Sequence, residues 1–280
     1  SPPGWNNLYD TLANSNFDRD LLIESGMVIE NEDKTYDRFR ERIMFPIRDL
    51  RGRTIAFGGR IIGDGKPKYL NSPETPVFHK GRELYGLFEA RKRNAKLTRV
   101  LVVEGYMDVV ALAQFGIGYS VATLGTATSK EHIERIYRLV PQIVFCFDGD
   151  SAGRSAAWKA LLVTLAAMSD GRSAKFLFLP DGDDPDTLIR REGKDKFELR
   201  LERAAPLDAF FFSNLESDLD PDSIEGKATL SKLAMPLLSS IPEGVFKQLM
   251  IDALATKTGL EAGRLIQAAG QEQKVAISPT

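Results

Sequence analysis

The amino-acid sequence predicts an α/β protein whose central part is a parallel β-sheet flanked by helices. Apolar runs alternate with stretches of helical spacing between residues 97 and 190, which is typical of such a sheet. A basic segment of mixed α/β character, residues 1–96, precedes this part. Helical spacing interrupted by prolines and glycine follows over 191–270 and predicts a helical subdomain. Residues 271–280 are polar, and we expect a tail or linker there.

The composition is that of a globular protein with ample material for a buried core. The 280 residues are 43% hydrophobic, and no apolar run approaches the ~20 residues needed to span a bilayer. The first residues have neither the basic nor the apolar region of a secretory signal, so we expect a cytoplasmic location and no membrane partner. The one cysteine, Cys146, lies in an apolar run and is expected to be a buried thiol.

Charge is distributed unevenly along the chain. Residues 34–96 contain sixteen basic and seven acidic residues, whereas the whole chain has a net charge of −2. A basic segment is therefore joined to an acidic one. This asymmetry indicates an electropositive face for phosphates beside a carboxylate-rich site for cations, with an ordinary solvated surface as the alternative interpretation.

The first elements of the central part follow one another in order. The apolar run at 99–105 predicts a strand, and 106–116 has helical spacing that ends at a glycine. Residues 119–125 predict a second strand. The next helix opens with Thr128 and Glu131 in the spacing of a capping box.

Acidic residues follow the predicted strands. The third strand, 143–147, leads into Asp-Gly-Asp and a small-residue helix, and the fourth leads into an acidic turn and another helix. Because the carboxyl ends of parallel strands share one edge of a sheet, their carboxylates should converge there. The acids placed in this way are Glu104, Asp148, Asp150, Asp183, Asp184 and Asp186.

Such a group of carboxylates predicts a bound cation. Like charges held together repel one another and raise each other's pKa unless a cation lies among them. Mg²⁺ prefers oxygen ligands and binds through a few carboxylates, waters and substrate phosphates. Gly149 permits a sharp turn between Asp148 and Asp150, although a lone Asp-Gly-Asp is more often a turn with a helix cap.

Three motifs make the sequence resemble a known family. VVEGYMDVVAL (102–112), FDGDSAGRSAA (147–157) and LPDGDDPDTL (179–188) are similar to the glutamate and Asp-x-Asp motifs of the TOPRIM fold, as found in the RNA-polymerase core of bacterial replicative DNA primases. Residues 36–60 and 67–87 resemble the segment that precedes TOPRIM in those primases. The resemblance implies a TOPRIM-type parallel sheet and template-directed synthesis of short RNA primers on single-stranded DNA during replication.

The resemblance also implies roles for individual residues. The catalytic acids are Glu104, Asp148 and Asp150. The ligands of Mg²⁺ or Mn²⁺, with two or more ions possible, are Glu104, Asp108, Asp148, Asp150, Asp184 and Asp186. The residues that bind ribonucleoside triphosphates are Arg60, Lys68, Asn71 and Lys80, and those that hold the DNA template are Arg38 and Arg40.

The residue types suit these roles. Lys68 and Lys80 provide compact positive charges for triphosphate oxygens, whereas Arg60 can form two parallel hydrogen bonds with a phosphate. Arg38 and Arg40 are two positions apart, and on a strand both would point to one face. A solvated charged pair is the alternative interpretation of these two arginines.

The sequence also departs from the full family pattern. Nothing in it can form the Cys/His zinc site of these primases, so we expect no zinc in this chain. The zinc-binding domain and the helicase-interaction domain are expected only in the full-length protein, whose partners include the replicative helicase. The chain itself is expected to be monomeric.

Three other functions fit some of these sequence features. A topoisomerase or nuclease with a TOPRIM domain needs a further catalytic domain or partner for which 280 residues leave no room. A haloacid-dehalogenase-type phosphatase shares the strand-borne Asp-x-Asp but usually has Thr or Val where this chain has Ala152. In a non-enzymatic nucleic-acid-binding module, the acids would be structural. Metal-dependent incorporation of ribonucleotides separates a primase from all three.

Overall fold

The computed structural model describes residues 1–32, 34–94 and 96–267. The predicted tail or linker at 271–280 lies outside the described residues. The chain forms two compact units. The first joins Ser1–Leu97 to Val103–Thr126, and the second joins Thr98–Val102 to the chain from Ala127 onward.

Helices and strands are numbered along the chain. The helices are α1 (Asn7–Ala13), α2 (Arg19–Glu24), α3 (Leu87–Arg93), α4 (Tyr106–Gln114), α5 (Lys130–Tyr137), α6 (Ser151–Leu165), α7 (Pro185–Glu202), α8 (Leu207–Glu216), α9 (Ile224–Ser239) and α10 (Val245–Thr258). The strands are β1 (Val28–Asn31), β2 (Lys34–Asp37), β3 (Arg42–Arg48), β4 (Thr54–Ile61), β5 (Tyr69–Asn71), β6 (Arg99–Val103), β7 (Ser120–Ala122), β8 (Gln142–Phe147), β9 (Ser173–Phe178) and β10 (Ala205–Pro206).

The first unit contains two antiparallel sheets, the ribbon β1–β2 and the three-stranded sheet β3–β4–β5. Strands β3 and β4 form a hairpin that begins with Arg42 opposite Ile61 and ends with Arg48 opposite Thr54. Alternate side chains of β3 are buried because one face of the hairpin covers a core. That core surrounds Tyr106, whose ring stacks on Phe45 with centroids 5.4 Å apart.

The second unit contains residues 99–102 of β6 together with β8, β9 and β10, which are neighbours in the order β10-β9-β8-β6, whereas β7 belongs to the first unit. Strand β8 pairs in parallel with both β6 and β9, and β10 runs antiparallel along β9. Residues Ile143–Phe147 of β8 are all buried, Cys146 among them, which is typical of a parallel strand covered on both faces. The predicted α/β fold with a largely parallel sheet is confirmed.

Helices α8, α9 and α10 complete the second unit. Trp158 of α6 stacks on Phe211 of α8, with ring centroids 6.0 Å apart. Asp170 accepts hydrogen bonds from the backbone N–H groups of Val245 (3.2 Å) and Phe246 (2.8 Å) and so caps α10. No helix within the described ranges is both long and apolar enough to cross a bilayer.

Three local predictions were wrong. Helix α5 is capped by Ser129 and His132 instead of Thr128 and Glu131, because the Ser129 hydroxyl accepts the His132 backbone N–H at 3.1 Å. Pro236 does not interrupt the helical spacing but lies inside the last turn of α9, where it removes one backbone donor while neighbouring Met235 and Leu238 stay buried. Arg38 and Arg40 lie between β2 and β3 and not on a strand.

Candidate functional site

Asp148 directly follows β8 in the second unit. Burial raises the pKa of its half-buried carboxyl group, and the negative charges of Asp150 and Asp184 raise it further. Within the described residues, no hydrogen bond or ion pair involves this carboxylate. The structure therefore brings three of the predicted acids together around a group that no basic side chain neutralises.

The backbone around Asp148 fits closely against its neighbours. A Cβ atom at Gly149 would lie 2.2 Å from the carbonyl oxygen of Leu179, and one at Gly153 would lie 2.2 Å from the carbonyl oxygen of Asp148. Glycine is therefore required at both positions. Asp150 is the N-cap of α6, and its Oδ1 accepts the Gly153 backbone N–H at 2.7 Å. The helix-cap interpretation of Asp-Gly-Asp is thus correct for one oxygen of Asp150.

The acids of the β9–α7 turn have different environments. Asp184 is the N-cap of α7 and accepts the Thr187 backbone N–H at 2.7 Å. Asp183 forms an ion pair with Arg191, and this hydrogen-bonded contact lowers the pKa of Asp183. Asp186 forms an ion pair with Arg190 one helical turn further on. Asp186 and Asp183 are therefore already neutralised by arginines, unlike Asp148.

Glu104 and Asp108 belong to the first unit. Glu104 follows β6 and is exposed. Asp108 lies in the first turn of α4, and its Oδ2 accepts the Gly105 backbone N–H at 3.0 Å, so it helps to cap the helix that follows Glu104. Glu104 thus follows a strand, as the sequence predicts.

Asn71 is held within the core of the first unit. Its Oδ1 accepts a short hydrogen bond from the Tyr106 hydroxyl, and its Nδ2 donates to the Leu124 carbonyl at 2.8 Å. Burial raises the pKa of Tyr106, which keeps its hydroxyl protonated as a donor. Both ends of the Asn71 amide are therefore occupied by contacts that join β5, α4 and the segment after β7.

Arg60 and Lys68 lie at the same end of the β3–β4 hairpin. The Nε of Arg60 is buried and makes no hydrogen bond within the described residues, whereas Lys68 is exposed. Their neighbour Arg42, which the sequence analysis did not select, donates to the carbonyls of Gly59 (3.3 Å) and Pro67 (2.9 Å). Arg42 is buried, and it anchors the loop that presents Lys68. Its place two residues after Arg40, in the basic sequence RFRER (38–42), is the signal that could have identified it.

Lys80 is positioned by a carboxylate. Glu74 accepts the Lys80 backbone N–H at 3.0 Å, and its other oxygen lies 3.0 Å from Nδ1 of His79. These contacts lower the pKa of Glu74. His79, which had no predicted role, therefore helps to order the loop that contains Lys80.

Arg38 and Arg40 flank the buried Phe39. Arg38 donates to the Gly26 carbonyl at 2.7 Å, and burial lowers the pKa of its guanidinium group. The guanidinium carbon of Arg40 lies 4.2 Å from the ring centre of Trp5, which is 63% exposed. Trp5 was missed because an isolated tryptophan near a terminus carries no motif.

The donor chemistry of the second unit fits a hard divalent cation. Asp148, Asp150 and Asp184 offer carboxylate oxygens, and Asp148 has no basic partner in the described residues. Across the described ranges, no three His, Cys, Asp or Glu side chains are arranged closely enough to hold a metal ion by themselves. These residues therefore suit an open site, in which waters and substrate phosphates provide further ligands.

Sequence profiles of three protein families match the chain. The profile for the DNA primase catalytic core, N-terminal domain, matches residues 1–91, and a Toprim-like profile matches 101–189. Toprim domains generally bind divalent metal ions. A profile for the DnaB-helicase binding domain of primase matches 209–262. The expectation that the helicase-interaction region occurs only outside this chain is not supported by that match.

Curated relatives extend the similarity over the whole chain. The chain is 55% identical over 282 aligned residues to a DNA primase of Pseudomonas putida, covering 100% of this chain and 43% of the relative. It is 53% identical over 261 residues to the DNA primase of Escherichia coli K12, covering 93% of this chain and 45% of the relative. The chain thus spans less than half the length of these relatives.

Solved structures agree with the sequence similarity. A DNA primase domain from Pseudomonas aeruginosa superimposes with a TM-score of 0.92 and 56% identity, covering 96% of this chain and 85% of that one. The E. coli primase catalytic core superimposes with a TM-score of 0.89 and 53% identity, covering 93% of this chain and 84% of that one. A DnaG primase catalytic domain bound to single-stranded DNA also has a TM-score of 0.89 and 53% identity, covering 94% of this chain and 83% of that one. The predicted TOPRIM-type architecture is confirmed.

Proposed function

The chain belongs to the DNA primase family, and we propose that it is the catalytic core of a bacterial replicative primase. It copies single-stranded DNA into a short RNA primer from ribonucleoside triphosphates by nucleotidyl transfer. The observation that carries this proposal is the half-buried carboxylate of Asp148, whose pKa is raised by burial, Asp150 and Asp184 and which no arginine or lysine neutralises in the described residues.

Mg²⁺ or Mn²⁺ is the proposed cofactor, with two or more ions in the working enzyme. Asp148, Asp150 and Asp184 would hold it in the second unit, and Glu104, Asp108 and Asp186 are the further acids assigned by the family resemblance. When bound, such an ion neutralises phosphate charge and lowers the pKa of a nucleotide hydroxyl. Asp186 would have to release Arg190, its ion-pair partner, in order to bind the metal ion.

The residues of the first unit bind and orient the nucleotide in this proposal. Lys68 and Lys80 contact triphosphate oxygens, and the guanidinium group of Arg60 contacts a phosphate. Arg42 and Glu74 hold the two loops that present the lysines. Asn71, whose amide is already occupied, acts by holding Tyr106 in place.

Template and partner contacts complete the proposal. Arg38 and Arg40 hold the template backbone, and the relative bound to single-stranded DNA supports a template of that kind. Residues 209–262 contact the replicative helicase, as the matching profile suggests. In this proposal the chain has three parts, divided at 96/97 and 190/191. The full-length protein has a zinc-binding domain elsewhere and acts at the replication fork in the cytoplasm.

An incorporation assay tests this function. The protein is incubated with single-stranded DNA, labelled ribonucleotides and Mn²⁺ or Mg²⁺, once alone and once with a short RNA already annealed to the template. The annealed RNA supplies a 3′-hydroxyl, so extension does not depend on the choice of a start site. We expect labelled RNA that disappears when the metal is chelated. No incorporation on either template would overturn the proposal.

A further inference from the structure

We propose that α3 and the β3–β4 turn form a second cationic surface, which binds the phosphate backbone of nucleic acid. This surface is defined by Arg48, Arg51, Arg53, Arg91, Lys92 and Arg93. The inference rests on the proposed function for its ligand class, but it concerns residues that none of the assigned roles includes. All six residues belong to the first unit.

The two segments that form the surface are in contact. Gly52, at φ +86°, lies against Phe88 of α3, and a Cβ there would come within 2.6 Å of the ring. Arg48 at the end of β3 donates to Glu89 of α3 at 2.5 Å. The turn and the helix are thus packed together, which brings the basic residues of both into one part of the first unit.

The surface carries an excess of positive charge. Residues 48–53 and 87–93 contain six basic and two acidic residues. Both acids are paired, Asp49 with Arg53 at 2.7 Å and Glu89 with Arg48. In the ranges that the structure describes, the other four basic residues have no ion pair, and all four are exposed: Arg51, Arg91, Lys92 and Arg93.

The basic side chains are mounted on an ordered backbone. Asp49 accepts the backbone N–H groups of Arg51 (2.9 Å) and Arg53 (3.0 Å), which fixes the turn. Asn94 donates from its side chain to the Ala90 carbonyl at 2.7 Å and so closes the last turn of α3. Ordered cations on fixed elements suit the regular spacing of phosphates better than a flexible charged loop would.

The second cationic surface lies at the opposite end of the β3–β4 hairpin from Lys68. Arg42 contacts the Lys68 carbonyl at the start of β3, whereas Arg48 is the last residue of the same strand. A strand of seven residues spans about 20 Å, which corresponds to roughly six phosphates along one nucleic-acid strand. One oligonucleotide longer than this could contact both ends of the hairpin.

Nucleic acid is the occupant that the residues favour. Five of the six basic residues are arginines, which bind phosphate oxygens through two parallel hydrogen bonds. An acidic peptide could also be attracted, and the experiment includes it as a competing outcome. The phosphate backbone of the single-stranded template and that of a duplex product present the same chemistry, so both are used as probes.

Fluorescence anisotropy with labelled oligonucleotides tests the proposal. The probes are single strands of 6 and 18 nucleotides and an 18-base-pair duplex, each titrated at several salt concentrations. The variant is Arg91→Gln with Arg93→Gln. The control is Lys194→Gln with Lys196→Gln, which removes the same charge from exposed positions on α7. Circular dichroism and thermal melting verify that both variants fold.

The double arginine variant should bind the 18-nucleotide strand roughly 2- to 30-fold more weakly, as expected for two exposed charge contacts. Its salt slope should become shallower by about 1.4, since each phosphate contact of a single strand contributes about 0.7. The 6-nucleotide strand should lose less affinity, and the lysine control should match wild type. A larger loss for the duplex than for the single strand would assign the surface to the product.

Two results would overturn the proposal. One is an arginine variant with wild-type affinity and salt slope for both long probes. The other is binding of a ten-residue glutamate peptide that requires Arg91 and Arg93 while oligonucleotide binding does not. Primer extension by the wild-type protein separates this inference from the proposed function. Normal wild-type extension with unchanged binding by the arginine variant rejects only the second cationic surface. Absent wild-type extension with weakened binding by the arginine variant rejects only the function.

Discussion

Asp148 and Asp183 follow neighbouring strands of the same sheet, β8 and β9, yet their pKa values shift in opposite directions. Burial and the charges of Asp150 and Asp184 raise the pKa of Asp148. The hydrogen-bonded Arg191 lowers the pKa of Asp183. The residue type is the same, but Asp148 directly follows its strand, whereas Asp183 lies in the turn between β9 and α7. The difference comes from the surroundings: Asp148 is half-buried beside like charges, whereas among the described residues Asp183 has Arg191 as a hydrogen-bonded partner.

This contrast indicates which acids of the group can bind a cation. A carboxylate that already has an arginine gains little from a second positive charge, whereas a carboxylate surrounded by like charges gains much. Asp148, Asp150 and Asp184 are therefore candidates to bind the cation, and Asp183 is not. Asp186 lies between the two groups, because it is assigned to the metal by resemblance but is paired with Arg190.

The largest expected effect is the difference in primer extension between variants of the two aspartates. Asp148→Asn should reduce primer extension by at least about 100-fold, since even residues that only orient metal ligands cost 10- to 100-fold when lost. Asp183→Asn should retain activity within a few-fold of wild type. Rates are measured at saturating metal and nucleotide. Equal losses in the two variants would remove the distinction on which the site assignment depends.

A smaller effect is expected for the residues around the nucleotide. Lys68→Ala or Lys80→Ala should raise KM for nucleotides roughly 10-fold, as loss of one hydrogen bond to a charged group does, with little change in thermal stability. Asn71→Ala should instead lower the melting temperature, because it leaves the Tyr106 hydroxyl and the Leu124 carbonyl without their partner.

Steady-state kinetics and thermal melting of all three variants test this division of roles. A normal melting temperature with a raised KM in Asn71→Ala would show that Asn71 contacts the nucleotide directly. A large drop in melting temperature in either lysine variant would show that the lysine is structural.

The smallest expected effect concerns stability in the absence of metal. Since the pKa of Asp148 is raised on folding, its contribution to stability is present below the ordinary carboxyl pKa near ~4 and is lost as pH rises through the raised value. Asp148→Asn should therefore melt roughly 1–3 °C above wild type at neutral pH, with the gain fading toward pH 4.

Asp183 should behave in the opposite way. Its pKa is lowered, so its contribution is present above the ordinary carboxyl pKa and is lost as pH falls. Asp183→Asn should melt slightly below wild type at neutral pH. Melting curves of both variants between pH 4.5 and 8 test this prediction, and a shift of the same sign in the two variants would contradict it.

Much of the fold and of the candidate site was predictable from local sequence patterns. The apolar runs before Glu104 and Asp148 predicted strands, and strand order placed the acids. What could not be predicted depends on long-range contacts. Arg191 reaches back eight residues to Asp183, and the amide of Asn71 is occupied by a carbonyl 53 positions away. The Asp186–Arg190 pair, with its i,i+4 spacing, could have been predicted.

The arginines show the same limit. The same-face argument for Arg38 and Arg40 requires a strand, but the chain leaves β2 at Asp37. Asp37 is buried there and caps α1 through the backbone N–H groups of Leu8 and Tyr9. The last residue of the strand is thus held by a tertiary contact, which local sequence spacing does not reveal.

The central claim is that the carboxylates around Asp148 hold a divalent cation, and the direct test is a Mn²⁺ titration of the folded protein. Bound Mn²⁺ is measured by electron paramagnetic resonance in wild type, Asp148→Asn and Asp183→Asn, without nucleotide or DNA. The account predicts at least a roughly 10-fold weaker site in Asp148→Asn and a wild-type affinity in Asp183→Asn. Equal Mn²⁺ affinity in all three proteins would contradict it.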